Sequence, residues 1–172
     1  MKKAYSLIVI LALLSSCKST KNISNQNKRG TAKTTRVKSP NTIISKQIET
    51  IITEAKRYKG TKYKYGGTTK KGMDCSGLIY TSFGEHGISM PRTTKELSTN
   101  GAWVDIKKVQ EGDLVFFATK KNSRKVNHVG IVTDVSGDIV SFIHSSSSRG
   151  VMISNLSERY WYFAYVQARR YL

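Results

Sequence analysis

Cysteine, histidine, acidic side chains and long apolar runs are all scarce in this chain. Only two cysteines occur, Cys17 and Cys75, and the first has another use, set out below, which leaves the second without an intramolecular disulfide partner. The three histidines, His86, His128 and His144, combine with Cys75 at spacings that match no zinc motif, and no fourth ligand is evident. A metal site is therefore not expected, nor any other cofactor. The one extended apolar run, from about Leu7 to Leu14, is too short to cross a bilayer. Acidic residues number 11 against 29 basic ones, for a formal charge of +18. No nucleic-acid-binding motif accompanies that charge, so nucleic acid is not an expected partner.

What is present begins with MKKAYSLIVILALLSSC, in which Lys2 and Lys3 precede the apolar run and small residues lead up to Cys17. Residues 1–16 read as an export signal. Leu14, Ser15, Ser16 and Cys17 resemble a bacterial lipobox, which implies that Cys17 is lipidated and becomes the acylated first residue after cleavage. Several acyl chains on one residue hold a protein stably to a membrane. Lys18 stands where an aspartate is associated with inner-membrane retention, so the expected location is the outer membrane, facing the periplasm. Between Lys18 and Pro40 there are seven basic residues and no acidic one, in a background of Ser, Thr and Asn. Such a segment cannot bury enough apolar surface to fold, so residues 17–41 read as a tether with a coil dimension of roughly 25 to 30 Å. Its counter-charges would be anionic lipid or wall polymer.

Residues 42–172 suit a single domain, expected to act as a monomer. Apolar residues recur at helical spacing from Ile43 to Tyr58, before Gly60, and predict an amphipathic helix. GGTTKKG, residues 66–72, predicts a loop. Asp74 can cap a helix running from about Cys75 to Phe83, and Thr93 or Thr94 a shorter helical turn after Arg92. From Asp113 onward, DLVFFA, HVGIVTDV, DIVSFIH, GVMIS and YFAYVQARRY are β-branched and aromatic runs separated by turn residues. Helices followed by consecutive strands argue for an α+β domain with an antiparallel sheet.

A cysteine in the first turn of a helix lies beside unpaired backbone N–H groups and the positive end of the helix dipole, both of which favour thiolate. The same N–H groups can stabilise an oxyanion. Such a nucleophile needs an imidazole, and the imidazole needs an orienting partner. His128 opens one predicted strand and His144 closes the next. A loop of three or five residues centred on Ser136 would pair positions that sum to 272, placing the two histidines opposite one another on one face. A two-residue Ser-Gly turn would send them to opposite faces. His86, at the end of the Cys75 helix, reads as a solvent-facing residue or a helix terminator.

GTKYKYGGTTKKGMDCSGLIY, MPRTT, EGDLVFF, NHVGIV and FIHSSSSRGVMIS, in that order, resemble the NlpC-type cell-wall cysteine peptidases. The resemblance implies a papain-like fold in which the nucleophile's helix packs on the sheet bearing the histidines. It implies hydrolysis of peptidoglycan stem peptides, most commonly at the bond between γ-linked D-glutamate and the diamino acid. Carried over by position, Cys75 is the nucleophile, His128 the general base and acid, and His144 the residue that orients it. Tyr63 is implied to bind substrate or stabilise the oxyanion, and Asp74 and Ser76 to grip the free amine of the stem. Arg149, beside His144, can pair with a substrate carboxylate. A thiol amidase or acyltransferase on a similar fold, a non-catalytic wall-binding lipoprotein and a membrane-anchored adaptor are the competing readings.

Overall fold

The computed structural model describes residues 40–172; Cys17, the expected signal and all of the expected tether except its last two residues, which open the first helix, lie outside the described residues. The first helix, α1 (Pro40–Arg57), carries Lys56 and Arg57 in its last turn, where positive charge complements the helix dipole. Its buried stripe of Ile51, Ile52 and Ala55 packs with Leu78, Ile79 and Phe83 of α2 (Cys75–Gly84). Between the helices, the segment expected as a plain loop forms a small antiparallel pair, β1 (Thr68–Thr69) with β2 (Gly72–Met73). A short α3 (Thr94–Thr99) follows. Its cap, Thr93, accepts a hydrogen bond from the Glu96 N–H at 3.2 Å and donates one to the Glu96 carboxylate at 2.7 Å, a reciprocal arrangement that satisfies the helix start.

The remaining chain builds one six-stranded antiparallel sheet from β3 (Ala102–Val104), β4 (Leu114–Phe117), β5 (His128–Ser136), β6 (Ile139–Ser146), β7 (Gly150–Asn155) and β8 (Tyr165–Arg170), in the spatial order β3-β8-β4-β5-β6-β7. The expected α+β class is what forms. Leu114, Phe116, Val129, Ile131 and Ile143 face α1 and α2. Val115, Phe117, Val132 and Phe142 face the other way, into a second core with Trp161 and Ala164. Burial of both faces explains why LVFF shows no polar alternation. The closing strand is tied in by Arg170, whose guanidinium donates two hydrogen bonds of 2.7 Å to the fully buried Asp113 carboxylate.

A second element departs from the sequence expectation. The first three residues of YFAYVQARRY belong to a helix, α4 (Arg159–Ala164), and strand begins only at Tyr165. Aromatic residues have strand propensity, but that preference mostly reflects packing. Here the helical turn lets Trp161 enter the second core while its neighbours stay outside.

Candidate active site

The position of Cys75 follows from the cap that precedes it. Asp74 has extended backbone, and its Oδ1 accepts from the Gly77 N–H at 2.6 Å, which starts α2 at Cys75 as the sequence implied. The loop before it packs so closely that a side chain at Gly77 would collide with the Gly67 carbonyl. Ser145, adjacent to His144, donates to the Met73 carbonyl at 2.7 Å and so ties β6 to the residue two before Cys75. The Lys62–Lys64 segment bridges to Met73, which brings Tyr63 to the same place.

The two histidines share a face, although not through the expected register. The hairpin turn is the two residues Gly137 and Asp138, because Ser136 pairs with Ile139. Continued to the base of the hairpin, that register would put His128 and His144 on opposite faces. A bulge between Val132 and Asp134 adds one residue to β5, so that Val132 pairs with Phe142 and Ile131 with Ile143. His144 thereby comes opposite Gly130, with His128 its diagonal neighbour rather than its direct partner. Gly130 is needed there, since a Cβ would sit 2.6 Å from the Phe142 ring and 2.9 Å from the Ile143 carbonyl.

His128 Nε2 and His144 Nδ1 are 3.0 Å apart, and His144 Nε2 is 3.2 Å from the Ser154 hydroxyl. With its Nε2 occupied, His128 has Nδ1 left to exchange a proton with sulfur. That fixes the tautomers needed for catalysis: His128 donates from Nε2 to a neutral His144, which donates from Nε2 to Ser154. Burial favours this state, lowering His128 to about 4 and His144 to about 3, the latter helped by the neighbouring His128 and Arg149. Trp161 stacks on His128, with ring centroids 5.4 Å apart and planes 20° from parallel, and so keeps water from that side of the imidazole.

The thiol itself departs from expectation. Burial pushes the Cys75 pKa up and outweighs the Thr94 hydroxyl, 3.6 Å from sulfur, and the backbone N–H groups of Val129 and Ser76 that would stabilise a thiolate. The raised thiol and the lowered imidazole both favour the uncharged pair, thiol and neutral imidazole.

Cys75 lies between two cavities. One, of 370 Å³, is lined by Tyr63, Cys75, Asn127, His128, Arg149 and Trp161 among others. The other, of 350 Å³, shares Tyr63, Cys75 and Asn127 and extends past Asp74, Ser76 and Arg92. The candidate residues therefore converge, with His144 buried behind His128. Arg92 was not anticipated from the sequence. It donates to both oxygens of Asp74 at 3.0 Å and to the Ser76 hydroxyl at 2.9 Å. Burial pushes Asp74 up, but hydrogen bonds from Arg92, Gly77 and Gly66 overcome it and hold the carboxyl below its usual range. The carboxylate is thus a cap with a bound cation, and its negative charge adds to burial in raising the neighbouring Cys75 thiol. Ser154, Trp161, Gly130 and Asn127, whose side chain is held by Thr119 at 2.8 and 2.9 Å, were likewise not singled out. The signal for Asn127 was its place directly before His128.

The NlpC/P60 family matches residues 60–170, a span that contains every one of these site residues. The chain belongs to the NlpC/P60 family. Among its curated relatives is "Murein DD-endopeptidase MepS/Murein LD-carboxypeptidase" of Escherichia coli, 41% identical over 116 residues, covering 67% of this chain and 58% of the relative. "Gamma-D-glutamyl-L-lysine dipeptidyl-peptidase" of Bacillus cereus is 37% identical over 136 residues, covering 78% and 40%. A crystal structure of an NlpC/P60 family protein from Bacillus cereus superimposes with a TM-score of 0.66 at 36% identity, covering 73% of this chain and 40% of that one. The chain spans little more than half the length, or less, of these relatives. The papain-like NlpC/P60 fold is the architecture described above, with the cysteine helix packed on the histidine-bearing sheet.

Proposed function

We propose that this chain is a thiol endopeptidase that cleaves peptidoglycan stem peptides, at the bond joining γ-linked D-glutamate to the diamino acid. The observation that carries the reading is a capped cysteine opening onto the same cavity as a histidine whose far nitrogen is held by a second, neutral histidine. The names of the relatives support the polymer, and the dipeptidyl-peptidase supports the bond.

In the reaction, the Cys75 thiol gives its proton to His128 Nδ1 as sulfur attacks the scissile carbonyl carbon. Asp74 occupies the N–H groups of Gly77 and Leu78, which leaves those of Cys75 and Ser76 to stabilise the oxyanion, with Tyr63 bordering the same space. Collapse of the tetrahedral adduct expels the amine, which takes the proton from His128 and leaves a thioester. Water, deprotonated by His128, hydrolyses the thioester and regenerates the thiol. A free stem amine would bind in the second cavity, sharing the Asp74 carboxylate with Arg92, and Arg149 would meet a substrate carboxylate at the other end. Lipid on Cys17 and the basic tether would place the enzyme at the outer membrane beside its polymer, a reading supported by the lipobox-like sequence.

The test is digestion of defined muropeptides with wild type, Cys75→Ala and His128→Ala, with product masses read by mass spectrometry. Wild type alone should release fragments ending in D-glutamate. Equal cleavage by all three proteins ends the proposal, and fragments cut elsewhere correct the bond.

A further inference from the structure

Arg149 lies in the turn between β6 and β7, residues 147–149, which is closed by the pairing of Ser146 with Gly150. The turn is fixed to the segment that leads into Tyr63: the Val151 N–H donates to the Thr61 carbonyl and the Gly60 N–H to the Val151 carbonyl, both at 2.8 Å. Gly150, at φ 72°, sits so close to Thr61 that a side chain there would strike its carbonyl. Arg149 is therefore held at the wall of the 370 Å³ cavity, and its charge is felt by His144. Arg92 is occupied by Asp74, whereas no carboxylate among the described residues lies within ion-pair distance of Arg149. An unpaired guanidinium at a cavity wall suits a planar carboxylate. The rest of that end carries the same sign. Through Thr119 and Tyr160 the cavity continues into an open groove of 630 Å³ lined by Lys120, Lys121 and Arg159, and no acidic residue lines either space. Glu158, next to Arg159, accepts from the Asn155 N–H at 2.7 Å and lines neither. A bare ammonium group entering here meets cations and no carboxylate.

We propose that this end of the site selects a diamino acid whose ω-carbon bears a carboxylate, as in diaminopimelate, over one that ends in a bare ammonium, as in lysine, with Arg149 holding that carboxylate. The inference rests on the peptidase reading above and names the residue that follows the scissile bond. With the free stem amine at Asp74, the diamino acid is the leaving side and occupies the cavity walled by Arg149. In a stem that continues to D-alanine its α-carboxyl is taken up in a peptide bond, so the ω-carboxylate is the group that tells the two diamino acids apart. On diaminopimelate that carboxylate neutralises the adjacent ammonium; lysine has nothing to set against the cations.

The test uses the full chain carrying Cys75→Ala, titrated calorimetrically with three tetrapeptides that run L-alanine, γ-D-glutamate, diamino acid, D-alanine. The diamino acid is meso-diaminopimelate, its ω-carboxamide or L-lysine, and the D-alanine carboxylate, common to all three, cancels. The diaminopimelate peptide should bind roughly tenfold tighter than the other two. Adding Arg149→Gln should weaken it to their level and leave theirs unchanged; the side chain is exposed, so the substitution does not disturb the core. Equal binding of the three peptides, absence of binding, or a preference that survives Arg149→Gln overturns the proposal. No turnover is involved. Wild type that cuts muropeptides while the titration shows no preference keeps the peptidase reading and loses this one, and a preference without cutting does the reverse.

Discussion

Replacing Gly130 by alanine adds one methyl group where the histidine ribbon is most closely packed. The new Cβ would lie 2.6 Å from Phe142 Cδ2, 2.9 Å from the Ile143 carbonyl and 3.3 Å from His144 Cβ. The Ile143 carbonyl is backbone and cannot swing away. Phe142 is fully buried, with Phe117 and Trp161 at centroid distances of 4.9 and 5.3 Å, so its ring has nowhere to retreat. Overpacking of this kind costs about 1–3 kcal/mol, which for a domain of this size lowers Tm by roughly 5–10 °C. The activity loss should be larger in proportion, because β6 can relieve the clash only by moving His144. The 3.0 Å bond to His128 then lengthens, and a misplacement of about 1 Å at a catalytic group costs on the order of 100-fold. Thermal melts and kcat/KM on a stem peptide measure the two effects. Gly84→Ala is the control: nothing lies within 4 Å of its added Cβ, and it should be neutral or stabilising by up to about 1 kcal/mol. If Gly130→Ala melts and turns over like wild type, the account of the ribbon's packing is wrong.

Arg92→Ala strips Asp74 of its cation and should cost about 2–3 kcal/mol in urea unfolding, below the usual range for a broken buried pair because Arg92 is one-third exposed. Adding Asp74→Asn should recover part of that loss, and no recovery would argue against the pairing. His144→Ala should lower kcat on the order of 100-fold and Ser154→Ala several-fold, both with KM nearly unchanged, as for residues acting through His128. Because burial lowers His128 from 6.5 to about 4, the unfolded chain binds a proton between those values that the folded chain does not. Stability should therefore fall as pH drops from about 6.5 to 4, by roughly 3 kcal/mol from this residue at about 1.4 kcal/mol per pH unit. His128→Gln should remove about half of the slope in that window, since His144, lowered to about 3, supplies the rest, and an unchanged slope would exclude His128 as a source.

Local features of the site could be read before any coordinates were known. Asp74 capping Cys75 is a matter of three consecutive residues and a helix start, and α1 is announced by its apolar stripe. The facing of the histidines was legible only as parity, and its mechanism was not. A bulge leaves no mark in composition, since Thr133 is an ordinary strand residue, and the turn is centred between Gly137 and Asp138 rather than on the expected Ser136. Arg92 is 18 residues from Asp74 and reads as a plain surface cation until the chain folds back. Ser154 and Trp161 act through tertiary contacts with His144 and His128, and the strand propensity of Trp161's neighbours concealed the helical turn that delivers it. The thiol's resting state depends on how deeply sulfur is covered, which no linear pattern records.

The bulged residue in β5 works as a vernier between the tip of the hairpin and its catalytic end. The sixteen-residue interval from His128 to His144 is consequently not a signature of the chemistry. A related chain lacking that one residue would carry its imidazoles fifteen apart in the same spatial relation, and a pattern search keyed to the interval would pass over it.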